Sequence, residues 1–160
     1  MISIREFREG DRDWLVEQTQ PFGGPEVVSG GFLHRLKDYP GIIAESNGER
    51  AGHVFYRAGP VRWELIAIRS FIKRSGIGSA LLEHIEDTAR KSGAEQMRLS
   101  VTNDNFPAMR FCQLRGYRFR QLIPGAFLES KKLKGIARDE PVLGLYGIEI
   151  RDEIILNKDL

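Results

Sequence analysis

The 160 residues predict an α/β chain in which short strands alternate with amphipathic helices. Three observations carry that prediction. Residues 63–68 (WELIAI) form an apolar, strand-like run that passes through a basic, glycine-bearing turn into a helical pattern at 77–91. Residues 97–101 (MRLSV) alternate apolar and polar, and after a polar break Ala108, Phe111, Cys112 and Arg115 follow at helical spacing. Asn47-Gly48 stands between two strand-like segments, 41–45 and 52–57, which is a strong hairpin signal.

Taken in order, residues 2–7 alternate and read as a first strand. Asp11 or Asp13 can cap a helix running to about Gln20, which Pro21 and Gly23-Gly24 end. Residues 21–40 are rich in Gly and Pro, with a short helix expected near 31–37. After the hairpin and the 63–68 strand, Ile77, Ala80, Leu81, Ile85 and Ala89 form one face of the next helix. Glu86–Arg90 and Asp87–Lys91 are favourable i,i+4 pairs on it, and Gly93 ends it. Thr102-Asn103-Asp104-Asn105 offers several N-caps for the following helix, Pro107 suits its first turn and Gly116 stops it. Segment 123–142 reads as a loop with a short helix, and the last strands fall near 117–122, 143–148 and 153–156. With no repeat, low-complexity tract or linker, a single domain over 1–160 is expected.

Composition narrows the partners. A net charge of +2 is too even to argue for nucleic acid, and no segment reads as a membrane span. Charges at Arg5 and Glu6 come too early for a signal-peptide core. One cysteine forbids an intrachain disulfide and fits a reducing compartment, so a soluble, cytoplasmic protein is expected. His34, His53 and His84 are scattered, and no metal-ligand spacing appears. His34 is expected in a flexible segment, His53 on a strand that can face a substrate cleft, and His84 on a helix surface. Gly-x-Ser-x-Gly is absent, so no nucleophilic serine is indicated.

The turn at 73–78, Lys-Arg-Ser-Gly-Ile-Gly, is the main chemical signal. A strand feeding a glycine turn at a helix N-terminus presents backbone N–H groups and the positive end of the helix dipole to an anion. Lys73 and Arg74 add charge there. A P-loop string is missing, and the dinucleotide fingerprint fails because Leu81 stands where its last glycine belongs. A plain tight turn with solvated basic residues remains the alternative on this segment alone.

The remaining pattern, basic-x-x-Gly-x-Gly, resembles the pyrophosphate motif Gln/Arg-x-x-Gly-x-Gly/Ala of the GNAT superfamily, the acyl-CoA-dependent N-acetyltransferases. Lys73 departs from its first position, keeping charge but losing the planar fork of Arg. Residues 97–119 resemble the second GNAT motif, with Asn105, Ala108, Phe111, Gly116 and Tyr117 in place. Both motifs occur in the family's order and separation. The resemblance implies a mixed, strongly twisted sheet of about six to seven strands flanked by helices. In that fold the strands at 63–68 and 97–101 splay apart around the pantetheine arm. It further implies acetyl-CoA as co-substrate with no metal. Ala67 and Ile68 then face pantetheine, and Lys73, Arg74, Ser75, Gly76, Ile77, Gly78, Ser79 and Ala80 surround the pyrophosphate. Asn105 contacts the cofactor or caps its helix.

Aminolysis of a thioester needs a neutral amine, so a base must accept its proton. Glu64, the carboxylate on the strand leading to the glycine turn, is the candidate base; a solvated strand-edge Glu is the alternative. The backbone N–H near Ile68 is implied as the oxyanion donor. Where the family usually carries an acidic Tyr, this chain has Cys112, either a shorter proton donor or a small buried hydrophobe. The ending Gly147-Ile148-Glu149-Ile150-Arg151-Asp152-Glu153-Ile154, with Pro124–Phe127, Ser130–Lys134 and Val27-Val28-Ser29, resembles one branch of bacterial GNAT proteins ending in GIPIRDEIELE, with Glu149 where Pro is usual.

The function expected is acetyl transfer to a primary amine of a small molecule through a tetrahedral intermediate. A catalytically weak acyl-CoA sensor and a protein N-acetyltransferase are the alternatives. No nucleic-acid or membrane partner is expected, and a homodimer is left open because dimers are common in the superfamily.

Overall fold

The computed structural model describes residues 1–20 and 24–160; the expected helix stop at Pro21 and Gly23 lies outside the described residues. In chain order the elements are β1 (Ile2–Glu6), α1 (Arg12–Thr19), β2 (Glu26–Ser29), β3 (Phe32–Arg35), β4 (Gly41–Ser46), β5 (Glu49–Arg57) and β6 (Arg62–Ser70). They continue with α2 (Ile77–Lys91), β7 (Gln96–Thr102), α3 (Phe106–Gln113), β8 (Arg118–Ile123), α4 (Ala126–Lys134) and β9 (Glu153–Asp159). Seven strands belong to a mixed sheet ordered β1-β4-β5-β6-β7-β9-β8, and β2 and β3 form a separate ribbon. The chain divides into two compact units: residues 1–27, 34–97 and 160, and residues 28–33 and 98–159. No helix among the described residues is long and apolar enough to cross a membrane.

The first unit is built on antiparallel pairing of β1 with β4, β4 with β5 and β5 with β6. The hairpin turns at Asn47 (φ 52°) and Gly48 (φ 82°), the two left-handed positions that a two-residue turn matching strand twist requires. Helix α2 has the bounds its periodicity predicts, and Leu82 and Glu86 join Ile77, Leu81, Ile85 and Ala89 among its buried residues. It lies so close to β5 that a Cβ on Gly52 would stand 2.9 Å from Ile77 Cγ2 and 2.6 Å from the Arg69 carbonyl oxygen. Below the other face, Leu15, Leu36, Phe55 and Ile66 form a buried cluster with Phe7, Trp14 and Tyr39 packed against it. Fully burying one such side chain contributes about 1.5–3 kcal/mol.

Asp11 precedes α1, but its carboxylate does not cap the helix. It is buried and accepts Arg5 Nη1 at 2.8 Å, Arg50 Nε at 2.8 Å and the Arg8 N–H at 2.8 Å. The Arg5 hydrogen bond, ahead of the other contacts, holds this carboxyl well below the usual carboxylate range. Asp87 likewise pairs with Arg90 at 2.7 Å rather than with Lys91.

The helix expected near 31–37 is a strand, β3, followed by a 3-10 turn at Leu36–Asp38. Gly30 (φ 58°) and Gly31 (φ 80°) reverse the chain, so β3 folds back as the partner of β2. His34 is therefore buried on β3, with Nδ1 2.6 Å from the Tyr39 hydroxyl.

In the second unit β7 shows strict alternation, with Leu99 and Val101 buried between half-buried neighbours. Asn105 caps α3, its Oδ1 accepting the Ala108 N–H at 3.2 Å, and Gly116 (φ 92°) follows the helix. The other residues of the polar break do different work. Asn103 Oδ1 accepts the N–H groups of Arg151 at 2.9 Å and Asp152 at 3.1 Å, and its Nδ2 donates to the Glu149 carbonyl. Asp104 is buried, takes the Thr102 hydroxyl at 2.6 Å and accepts the Leu145 N–H at 2.9 Å. These bonds shape the segment expected as a strand at 143–148. It contributes only a bridge between Leu143 and Glu149, closed by a 3-10 turn at Leu145–Gly147 with Tyr146 at φ 60°.

Candidate active site

Strand β6 carries the first group of candidate residues, and its pairing with β5 decides how they point. Glu64 is opposite Arg57 and Ala67 opposite Phe55, while the register slips between Phe55 and Tyr56 so that Ile66 is the extra residue of a bulge. Directly opposed residues share a face, and Arg57 and Phe55 are two apart, so Glu64 and Ala67 share that face as well. In a regular strand, residues three apart would point to opposite faces. Ile66 itself is buried in the Leu15–Leu36–Phe55 cluster, and Ala67 packs against it.

The Glu64 side chain is 24% exposed and paired with the Arg57 guanidinium, which is 56% exposed. Its flanking residues Trp63 and Leu65 are buried; Trp63 stacks on Tyr56 with ring centroids 4.9 Å apart. Glu64 thus keeps contact with water while a cation fixes its position. Ile68, half-buried, lies opposite Val54 one residue beyond Ala67.

Beyond β6 the chain enters the turn 71–76. Arg74 (φ 58°) and Gly76 (φ 78°) are both left-handed, and Gly76 is the N-cap of α2. Non-glycine residues rarely take this conformation, so Arg74 is a strained position of the kind that clusters at ligand sites. The Ser75 hydroxyl donates to the Ile72 carbonyl at 2.6 Å, which ties the turn together. Lys73 and Arg74 are exposed, and the first turn of α2 has no acidic residue. Gly76 offers no capping side chain, and the Ala80 N–H, donating to its carbonyl at 2.9 Å, makes the helix's opening bond. Ile77 is wholly buried, so only its backbone can meet a ligand, and Gly78, Ser79 and Ala80 are half-buried. An uncapped helix start without acidic neighbours, beside two cations, fits a pyrophosphate.

Asn105 and Cys112 belong to the second unit. Asn105 is half-buried and uses Oδ1 as a helix cap. Cys112 is 3% exposed and shares the interior of that unit with Met109, Tyr117 and Leu156.

His53 departs from its expected role. It faces no cleft: it is fully buried, edge-on to Trp14 and Phe55 with Phe71 at 5.7 Å, and among the described residues neither ring nitrogen has a hydrogen-bond partner. Burial, with the nearby Arg69 charge second, pushes its pKa down to about 3. His84 is exposed on α2 as expected. Among the described residues no group of three His, Cys, Asp or Glu is placed to hold a metal ion. The bulge at Ile66 and the loop-holding roles of Asn103 and Asp104 escape sequence reading, because a bulge has no residue signature and a cap-like Asn or Asp names no distant partner.

Residues 6–117 match the family model described as the Acetyltransferase (GNAT) family. The chain is 34% identical over 138 residues to the uncharacterized protein YdhI of Bacillus subtilis (strain 168), covering 86% of this chain and 84% of that protein. Among solved structures it resembles an IAA acetyltransferase from Bacillus cereus ATCC 14579, with TM-score 0.75 and 21% identity over 100% of both chains. It also resembles a GNAT family acetyltransferase from Elizabethkingia anophelis with acetyl-CoA bound, with TM-score 0.72 and 20% identity over 99% of this chain and 98% of that one. At these identities the structural likenesses speak to the fold.

Proposed function

The chain belongs to the GNAT family of acetyltransferases, and from that premise we propose that it transfers the acetyl group of acetyl-CoA to a primary amine. One observation carries the reading: β6, with Glu64 and Ala67 brought to one face by the bulge, runs directly into an uncapped, acid-free helix start beside Lys73 and Arg74.

In this mechanism the backbone of 74–80 holds the pyrophosphate, and Ala67 and Ile68 pair with the pantetheine arm. Asn105, its Oδ1 engaged as a cap, offers Nδ2 to CoA. The amine nitrogen attacks the thioester carbonyl carbon; the C–N bond forms as the carbonyl electron pair moves onto oxygen, where the Ile68 N–H donates. Collapse breaks the C–S bond and releases CoA thiolate. Glu64 accepts the amine proton, directly or through one water, held in position by Arg57. Cys112 we assign to packing, since it is 3% exposed. A thiolate leaves without the help an amide nitrogen would need, and solvent protonates it.

The test is CoA release from acetyl-CoA, read with a thiol reagent across a panel of small amines and N-terminal peptides, with an enzyme-only control for Cys112. Acceptor-dependent release is expected, and Glu64→Gln should lower kcat about 10²–10⁴-fold. Lys73→Ala with Arg74→Ala should raise KM for acetyl-CoA. Binding of acetyl-CoA without turnover on any acceptor would favour a sensor; absence of binding would overturn the reading.

A further inference from the structure

We propose that the cavity beside α4 binds a small organic carboxylate with an apolar body. The cavity measures about 310 Å³ and lies within the second unit. Phe127, Leu128 and Ile150 supply apolar wall, and Lys131, Arg138 and Arg151 supply three cations.

Lys131 is the unusual member. It is 4% exposed, yet among the described residues its ammonium has no carboxylate partner: Nζ donates to the Arg138 carbonyl at 3.3 Å and to the Glu140 carbonyl. An ammonium has three donors, and these bonds use two. A buried charge without a counter-ion is costly, and folded proteins ordinarily supply one. Neither lining acid does so. One Asp152 oxygen takes the Gly125 N–H at 2.8 Å, and Glu149 is exposed. No ion pair among the described residues joins either acid to Lys131, Arg138 or Arg151. A ligand carboxylate would complete the third Lys131 donor and meet the guanidinium groups, whose planar forks match it. The volume sits at the lower end of ligand cavities, about 300–1,000 Å³, which limits the apolar body to roughly one ring.

The inference stands on this cavity and not on acetyl transfer, so its test is binding. Calorimetric titration of the full chain would compare phenylacetate, benzyl alcohol and inorganic phosphate. Saturable binding of phenylacetate is expected, with benzyl alcohol at least about tenfold weaker because it lacks the charge. Arg151→Gln should weaken phenylacetate about tenfold with an unchanged melting temperature, because this exposed side chain ties no loop. Lys131→Met should abolish binding but also release the 138–140 loop, so Arg151→Gln is the deciding variant. No saturable phenylacetate binding, equal binding of benzyl alcohol, indifference to Arg151→Gln, or binding of phosphate alone would each overturn the proposal.

Discussion

In residues 1–27 and 34–97 the side chains of Leu15, Leu36, Ile43, Phe55, Ile77, Leu81 and Ile85 are wholly buried; residues 98–159 bury Tyr117 and Leu156 but leave Phe119, Leu122, Leu143 and Tyr146 more than half exposed. Strand β8, the last in the sheet order, exposes five consecutive residues. The first region is held chiefly by packing against α1 and α2. The second leans on side chains that bind distant backbone: Asn103, Asp104, Asp152 and Lys131 hold Gly125 and the stretch 138–152. Packing energy is spread over many contacts, while a polar tie is concentrated in one residue. The two regions should therefore fail differently when single residues are changed.

The largest expected effect tests the buried carboxylate that ties together several groups of the packed region. Asp11→Ala removes the carboxylate shared by Arg5, Arg50 and the Arg8 N–H, and because both guanidinium groups reach water and Arg5 keeps Glu45, it should cost about 2–3 kcal/mol. Urea unfolding would measure it; a loss within about 0.5 kcal/mol would show that this centre is solvated. Next, Asp104→Ala should cost about 1–3 kcal/mol by stranding the Leu145 N–H and the Thr102 hydroxyl. Its signature is local: hydrogen exchange should accelerate over residues 144–152 while α2 stays protected. Uniform acceleration would dissolve the contrast between the regions.

His53→Leu should move the other way, stabilising by about 1 kcal/mol, since it replaces two unpaired buried nitrogens with apolar surface of similar volume. It should also change acid sensitivity. The folded pKa of about 3 lies below the ordinary 6.5, so between these values the unfolded chain binds the extra proton. Stability then rises with pH across that window, is complete above 6.5 and is lost as pH falls. Asp11, whose carboxyl is also held down, acts in the same direction below 3.8. His53→Leu should flatten the slope between pH 6.5 and 3 and leave the Asp11 component; an unchanged slope would place the titration elsewhere. The smallest effect belongs to Asn105→Ala, a lost cap worth about 1 kcal/mol, with Asn105→Asp expected to retain most of it.

Residues with strong local preferences announce their conformation in the chain itself. Asn47-Gly48 can turn only one way, the apolar period of 77–91 marks α2 to the residue, and the alternation of Met97, Leu99 and Val101 marks β7. The glycine turn and its cations are equally legible, because their chemistry is local. The ribbon of β2 and β3 is harder to read. Gly30-Gly31 stands in a glycine- and proline-rich stretch that suggests loop and then helix, although paired left-handed glycines favour a hairpin. The burial of His53 is not legible at all, because nothing in its neighbours along the chain reports Trp14 or Phe71.

Propensity, periodicity and the demands of left-handed backbone act over a few residues, so elements such as α2 and β7, and the glycine turn that opens α2, follow from the chain alone. Which side chains meet is a matter for the assembled fold. The slip that makes Ile66 the extra residue exists only relative to β5, and it alone puts Glu64 on the face of Ala67. Asn103 and Asp104 become loop anchors rather than caps because residues 145–152 return to them. Lys131 becomes a buried ammonium because residues 138–140 fold over it. In each case the physical reason is the same: a hydrogen bond or a shared face is a property of two segments, and the linear order of residues states only one of them at a time.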